Sequence, residues 1–191
     1  MNYLHDCNYI HFDIKPSNFF ISENSLVKLG DFNLTKKKSF LNDEYLEGDS
    51  SYLAPEILEV KIKDLNEKCD VYSLGLTFLE ILFKIELPTN GVLWQGIRNP
   101  NFTIPKEFSI NTNIEGEIPK EFLDLINGMI SSNPKERFDL KFIIDNFYEI
   151  KIRKEKLFQN TFIPRYFGFV HLNEEKLDIS NLKRSSKKVY L

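Results

Sequence analysis

The stretch "HFDIKPSNFF" (residues 11–20) brings Asp13, Lys15 and Asn18 within six positions, and "KLGDFN" (28–33) follows with Asp31 and Asn33. Two carboxylates, a carboxamide and an ammonium at these intervals form a donor set suited to a polyanion and a hard metal ion. Any one of them alone would read as a polar loop residue between strands. The apolar runs "NFFIS" (18–22) and "LVKLG" (26–30) flank "ENS", which predicts a β-hairpin carrying Asn18 and Asp31 at its ends.

Outward from this centre, residues 1–8 read as the last turns of a helix. Residues 33–55 lack periodicity and carry many polar groups, so they read as a long surface loop, a kind of segment that is usually functional or disordered. From Asp70, "DVYSLGLTFLEILFKI" has apolar residues on nearly every face and predicts a helix buried all round. In "IPKEFLDLINGMI" (118–130), Phe122, Leu125, Ile126, Met129 and Ile130 recur at helical spacing, with Pro119 suited to the first turn. "DLKFIIDNFYEIKI" (139–152) predicts a further helix. Beyond about residue 170 the chain is polar and ends "KRSSKKVYL". The expected organisation is one domain over 1–150 and a partly disordered C-terminal extension over 151–191, with an α+β, mainly helical fold.

Bulk properties narrow the function classes. With 191 residues, 42% of them hydrophobic, the chain can bury a sizeable core. Its net charge of −3 supplies no general basic field for nucleic acid. The most apolar stretch, "LGLTFLEILFKI" (74–85), contains Glu80 and Lys84 and is too short to span a bilayer, so no membrane partner is expected. Cys7 and Cys69 form no closely spaced pair, which suits a reducing compartment and an intracellular setting, nucleus or cytoplasm.

Five segments in order, "HFDIKPSN", "GDFN", "YLAPE", "DVYSLG" and "NPKERF", resemble the C-terminal lobe of eukaryotic protein kinases. The matching residues are His11, Asp13 and Asn18, then Asp31 and Phe32, then Ala54, Pro55 and Glu56. "KPSNFFI", "EGDSSYLAPEIL" and "NGVLWQGIRNPNFTIP" are further similar to the Wee/Myt kinases, which inhibit cyclin-dependent kinases before mitosis. The resemblance implies ATP and Mg²⁺ as cofactors and a protein substrate, with a cyclin-dependent kinase as the finer expectation.

It also implies a role for each matched residue. Asp13 would accept the substrate hydroxyl proton, and Lys15 would place a positive charge near the transferring phosphate. Asn18 and Asp31 would hold Mg²⁺, so that Lys15, Asn18 and Asp31 together form the ATP-binding set. His11 would pack beneath the metal-binding loop. Asp70, a costly carboxylate at the head of a buried helix, would tie down the catalytic-loop backbone. Glu56 and Arg137 would form a buried ion pair, whereas Trp94 is expected to serve packing.

The sequence departs from the family pattern at three places. Phe12 stands where many kinases have an Arg that pairs with a phosphorylated activation loop, an Arg that Wee-like kinases also lack. A phosphate on Thr35, Ser39, Ser50 or Ser51 would therefore meet no obvious cation. Asn33 replaces the Gly of D-F-G; Gly permits positive φ freely and Asn tolerates it next best, so the loop is expected to form with Asp31 less mobile or less well aimed. No G-x-G-x-x-G occurs in the chain, and nothing before residue 11 supplies the strand lysine or helix glutamate of the other lobe. A truncated gene model is the favoured explanation. "KPSN" has the serine/threonine-protein kinase form, although Wee kinases carry it while modifying tyrosine. The rival expectation is a pseudokinase lobe acting as a non-catalytic protein-binding module.

Overall fold

The computed structural model describes residues 1–23, 26–41, 48–59, 65–104, 118 and 120–153, with 148–153 described by backbone alone. Helix α1 (Asn2–Asp6) leads into β1 (Tyr9–Ile10), a 3-10 turn (Pro16–Asn18), β2 (Phe19–Ile21) and β3 (Val27–Leu29). Strand β4 (Lys36–Lys37) and a second 3-10 turn (Lys38–Phe40) precede α2 (Pro55–Leu58), α3 (Lys68–Phe83), α4 (Gly91–Ile97), α5 (Lys120–Met129) and α6 (Leu140–Arg153). The architecture is α+β with helix dominant, as the sequence reads.

Helix α3 is the axis of the core. Every residue from Cys69 to Leu79 is buried, with Val71, Tyr72 and Leu76 fully so. This all-round burial is the counterpart of the nearly continuous apolar run. It begins at Lys68, two positions before the run itself, and ends where Lys84 turns left-handed at φ 50°. Helix α5 lays Phe122, Leu125, Ile126 and Met129 onto the core. The close approach depends on Gly75: a Cβ there would stand 2.6 Å from Ile130 Cγ2 and 2.9 Å from Met129 Cβ. Helix α6 adds Ile143 to the core and sets Phe147 edge-on to Phe122, ring centroids 5.5 Å apart.

Strands β2 and β3 pair antiparallel with Phe19 opposite Leu29 and Ile21 opposite Val27, the predicted hairpin. Residues 33–55 are not simply a surface loop. Lys36 and Lys37 pair with Ile10 and Tyr9, Thr35 is buried, and Ser51, Leu53 and Ala54 enter the core. A two-residue strand shows no period, and such burial depends on residues far along the chain, so neither left a local pattern. The predicted role of Pro119, residues 42–47 of the loop and the extension from 154 onward lie outside the described residues.

Glu56 and Arg137 lock the two ends of this core. Arg137 Nη1 and Nη2 donate to the two carboxylate oxygens of Glu56 at 2.6 and 3.0 Å. Its Nε donates to the Ser131 carbonyl at 2.9 Å, and Nη1 also reaches the Lys68 carbonyl at 2.9 Å. The guanidinium lies 4.9 Å from the Tyr72 ring centroid. Removing one member of such a pair strands the other charge out of water. Arg137→Ala should therefore cost about 3–5 kcal/mol in urea unfolding. Arg137→Lys should also destabilise, because a point charge cannot reproduce the planar fork. Melting curves of both variants that overlay the parent would refute the pairing.

Candidate active site

The site is organised by one carboxylate in the first turn of α3. Asp70, 1% exposed, accepts the His11 backbone N–H on Oδ2 at 2.8 Å and the Phe12 backbone N–H on Oδ1 at 2.9 Å. His5 Nε2 donates to the same Oδ2 at 2.9 Å. Three donors offset the desolvation of this buried charge. They also hold Phe12 at φ 65°, a conformation that bulky residues rarely adopt and that costs on the order of 1–3 kcal/mol. Phe12 is buried, so its ring contributes to the core in place of a charged side chain.

Asp13 follows directly from this pinned pair. Its Oδ1 lies 3.0 Å from Lys15 Nζ, and its Oδ2 accepts from Asn18 Nδ2 at 2.8 Å. Asn18 Nδ2 also donates to the Asp13 carbonyl at 2.7 Å. The turn opened by Pro16 makes these contacts possible, closing with the Asn18 N–H on the Lys15 carbonyl at 3.0 Å. With its nitrogen committed to Asp13, the side chain of Asn18 has only its oxygen left to offer a cation.

Across the hairpin, the Gly30 N–H donates to the Asn18 carbonyl at 2.9 Å. That bond sets exposed Asp31 one residue beyond Asn18's partner. Asp31 carries the positive φ of this loop, at 59°, and Asn33 does not. The left-handed backbone falls two residues before Asn33, which sits in an ordinary turn, so the exchange of Gly for Asn places no demand for positive φ here.

His11 joins the two halves. Its Nε2–H donates to the Gly30 carbonyl at 3.1 Å, its Nδ1 accepts the Asp13 N–H at 3.2 Å, and its ring lies 5.2 Å from that of Phe32. The structure thus brings His11, Asp13, Lys15 and Asn18 into direct contact, with Asp31 beside them and Asp70 behind. Glu56 and Arg137 stand apart as a separate pair. Among the described residues no three His, Cys, Asp or Glu side chains converge as a metal cage. A cation here would rest on one carboxylate, one amide oxygen and oxygens from its ligand, which is how Mg²⁺ is commonly held.

Sequence reasoning missed several neighbours. Asp49 Oδ2 lies 3.8 Å from Lys15 Nζ, making a second carboxylate beside that ammonium. The Asp49 carbonyl accepts the N–H groups of Tyr52 and Leu53 at 2.9 and 3.2 Å. Tyr52 is tied to α3 twice, its hydroxyl donating to the Glu80 carboxylate and its carbonyl accepting from Ser73 Oγ at 2.8 Å. Burial, reinforced by Glu80, pushes the Tyr52 phenol well above its ordinary range. Trp94 donates its indole N–H to the Ser50 carbonyl at 2.8 Å. Arg98, four residues on, grips the same segment; their helical spacing was the one local signal available.

Residues 1–148 match the family model described as the protein kinase domain. The chain belongs to the protein kinase family, and several of the proteins it resembles are named as mitosis-inhibitor or cdc2-inhibitory kinases. It is 42% identical over 100 residues to the mitosis inhibitor protein kinase SWE1 of Candida albicans, covering 52% of this chain and 8% of that protein. It is 38% identical over 139 residues to the membrane-associated tyrosine- and threonine-specific cdc2-inhibitory kinase wee-1.3 of Caenorhabditis briggsae, covering 72% and 20%. With the mitosis inhibitor protein kinase mik1 of Schizosaccharomyces pombe it shares 40% over 103 residues, covering 54% and 17%. The chain therefore spans a fifth or less of these three relatives. Among the described residues no helix is long and apolar enough to cross a membrane.

The hydrogen bonds of His11 require a neutral ring. Burial holds its pKa below the ordinary histidine value, against the opposing pull of Asp70, the Gly30 carbonyl, Asp13 and Asp31. As pH falls, the unfolded chain takes up this proton first. The stability contributed by neutral His11 is present above about pH 6.5 and is lost as pH falls through the lower folded value. Urea unfolding from about pH 7.5 to about pH 5 should show this decline. His11→Asn should be less stable at the upper pH and have a shallower slope; a slope equal to the parent's would assign the titration elsewhere.

Proposed function

We propose that this chain carries the catalytic and metal-binding residues of a protein kinase that moves the γ-phosphoryl group of ATP to a protein hydroxyl. The carrying observation is Asp13, whose two oxygens are held by Lys15 and Asn18 while its backbone is tied through His11 to Gly30. A carboxylate so fixed can orient an acceptor hydroxyl and take its proton as the oxygen attacks γ-phosphorus and the bond to the ADP oxygen breaks. Lys15 supplies positive charge at the same place, and the nearby Asp49 keeps that ammonium oriented. Asn18 Oδ1 and the Asp31 carboxylate are the oxygens that would hold Mg²⁺, which when bound neutralises charge developing on the phosphate oxygens.

Likeness to a kinase named tyrosine- and threonine-specific and cdc2-inhibitory, and to mitosis inhibitor kinases, supports a finer reading. The acceptor is a tyrosine of a cyclin-dependent kinase, phosphorylated inside the cell, in nucleus or cytoplasm, as part of cell-cycle control.

Kinases cover the ATP phosphates with a Gly-rich loop and a strand lysine, so the assay should use the chain joined to such a nucleotide-binding lobe. There, Asp13→Asn should lower transfer about 100-fold or more with the melting temperature retained. Asp31→Ala should abolish Mg²⁺-dependent transfer. Phosphate incorporation that survives both substitutions would sink the catalytic assignment. Phosphopeptide mapping should find phosphotyrosine; serine and threonine products alone would leave a kinase and remove the Wee-type acceptor.

A further inference from the structure

Arg98 caps the C-terminal end of α4 and is 9% exposed, yet among the described residues no carboxylate is a hydrogen-bond partner of it. Its fork closes instead on backbone carbonyls. Nη2 donates to those of Ser50 at 2.8 Å, Ser51 at 3.1 Å and Leu53 at 3.0 Å, and Nε donates to Leu53 at 3.2 Å. Nη1 reaches back to the Trp94 carbonyl at 3.1 Å, and the guanidinium lies 4.1 Å from the Trp94 ring centroid. Trp94 adds its own N–H to the Ser50 carbonyl, so two side chains hold one oxygen. Arg98 is itself anchored by Ser132 Oγ, which donates to its carbonyl at 2.8 Å.

Burying a guanidinium is expensive, and convergent carbonyls offset that cost here. All but one of these acceptors belong to residues 50–53. Asp49, at the start of that segment, lies 3.8 Å from Lys15 Nζ, which is 3.0 Å from Asp13. The clamped backbone therefore continues directly from the residue that faces the Lys15–Asp13 pair. Arg98 touches none of Asp13, Lys15, Asn18 or Asp31, so its influence must pass through this segment.

We propose that Arg98, stacked on Trp94, is a positioning residue that fixes the 50–53 backbone as the surface on which the acceptor polypeptide is laid beside Asp13. The proposal rests on the kinase reading. It separates two substrates: the polypeptide should depend on the clamp, and ATP should not.

Arg98→Lys keeps the charge and stem but loses the fork. In the 191-residue chain, amide exchange at Ser51, Tyr52 and Leu53 should rise about tenfold while exchange in α3 and α5 is unchanged. Trp94, the chain's sole tryptophan, should become more accessible to acrylamide quenching. In the chain joined to a nucleotide-binding lobe, KM for the acceptor protein should rise about tenfold, with KM for ATP and kcat within about twofold. Trp94→Phe, which keeps the ring and loses the N–H, should move the same readouts less far. Unchanged exchange at 51–53 would overturn the proposal. So would a parallel rise of both KM values with a lowered melting temperature, the mark of a merely structural role. If the parent transfers no phosphate, the kinase reading fails and the acceptor role with it, while the exchange measurement still decides whether Arg98 holds the segment.

Discussion

The carboxylate of Asp70 is the contact on which the rest of the site depends. It projects from a helix whose position is set by apolar burial on all sides, so it cannot move without the core. Because it takes two consecutive backbone N–H groups, it dictates a conformation as well as a location, and the left-handed Phe12 is the visible result. The strain there is stored in a place where core packing and three hydrogen bonds over-determine the backbone. Asp13 then inherits a fixed starting point. Its two oxygens can be shared between an ammonium and a carboxamide without either being free to wander.

Two buried arginines show different solutions to the same problem. Arg137 meets Glu56 in a two-pronged pair and adds main-chain carbonyls around it. Among the described residues Arg98 has carbonyl partners only, and burial lowers its pKa from the ordinary arginine value. The pair welds α2 to the turn after α5, closing the core. The Arg98 guanidinium gathers the segment just before α2. Between them lies Tyr72, whose hydroxyl is buried without a hydrogen-bond partner among the described residues and whose phenol is pushed up to about 12, mainly by burial. Both ends of the segment that leads from Asp49 to Glu56 are thus held by arginine forks.

Legibility in the sequence followed the range of the interactions. The hairpin, α3, α5 and α6 could be read because periodicity and apolar runs are local signals, and the buried pair could be expected because Glu56 and Arg137 fall in family-like motifs. The short strand β4 could not be read, since two residues carry no period. Sequence reports which residue replaces the glycine of D-F-G, whereas the residue that adopts positive φ, here Asp31, shows only in the structure. Trp94 reads as a packing residue, yet it makes polar contacts: its indole N–H donates to the Ser50 carbonyl 44 residues away and its ring lies under Arg98.

What the amino-acid order determined by itself is the inventory and its spacing. A proline opens the turn that lets Asn18 reach back to Asp13, and the run from Asp70 carries apolar residues on nearly every face of a helix. These are consequences of reach and backbone freedom over a few residues. Only the tertiary structure decided which charges would meet. Asp70 joins residues 11 and 12 across 58 and more positions, and Arg98 joins residues 50–53 across 45 to 48. Such pairings arise because a buried polar group must find a partner wherever the core has brought one, and the core is the product of the whole chain.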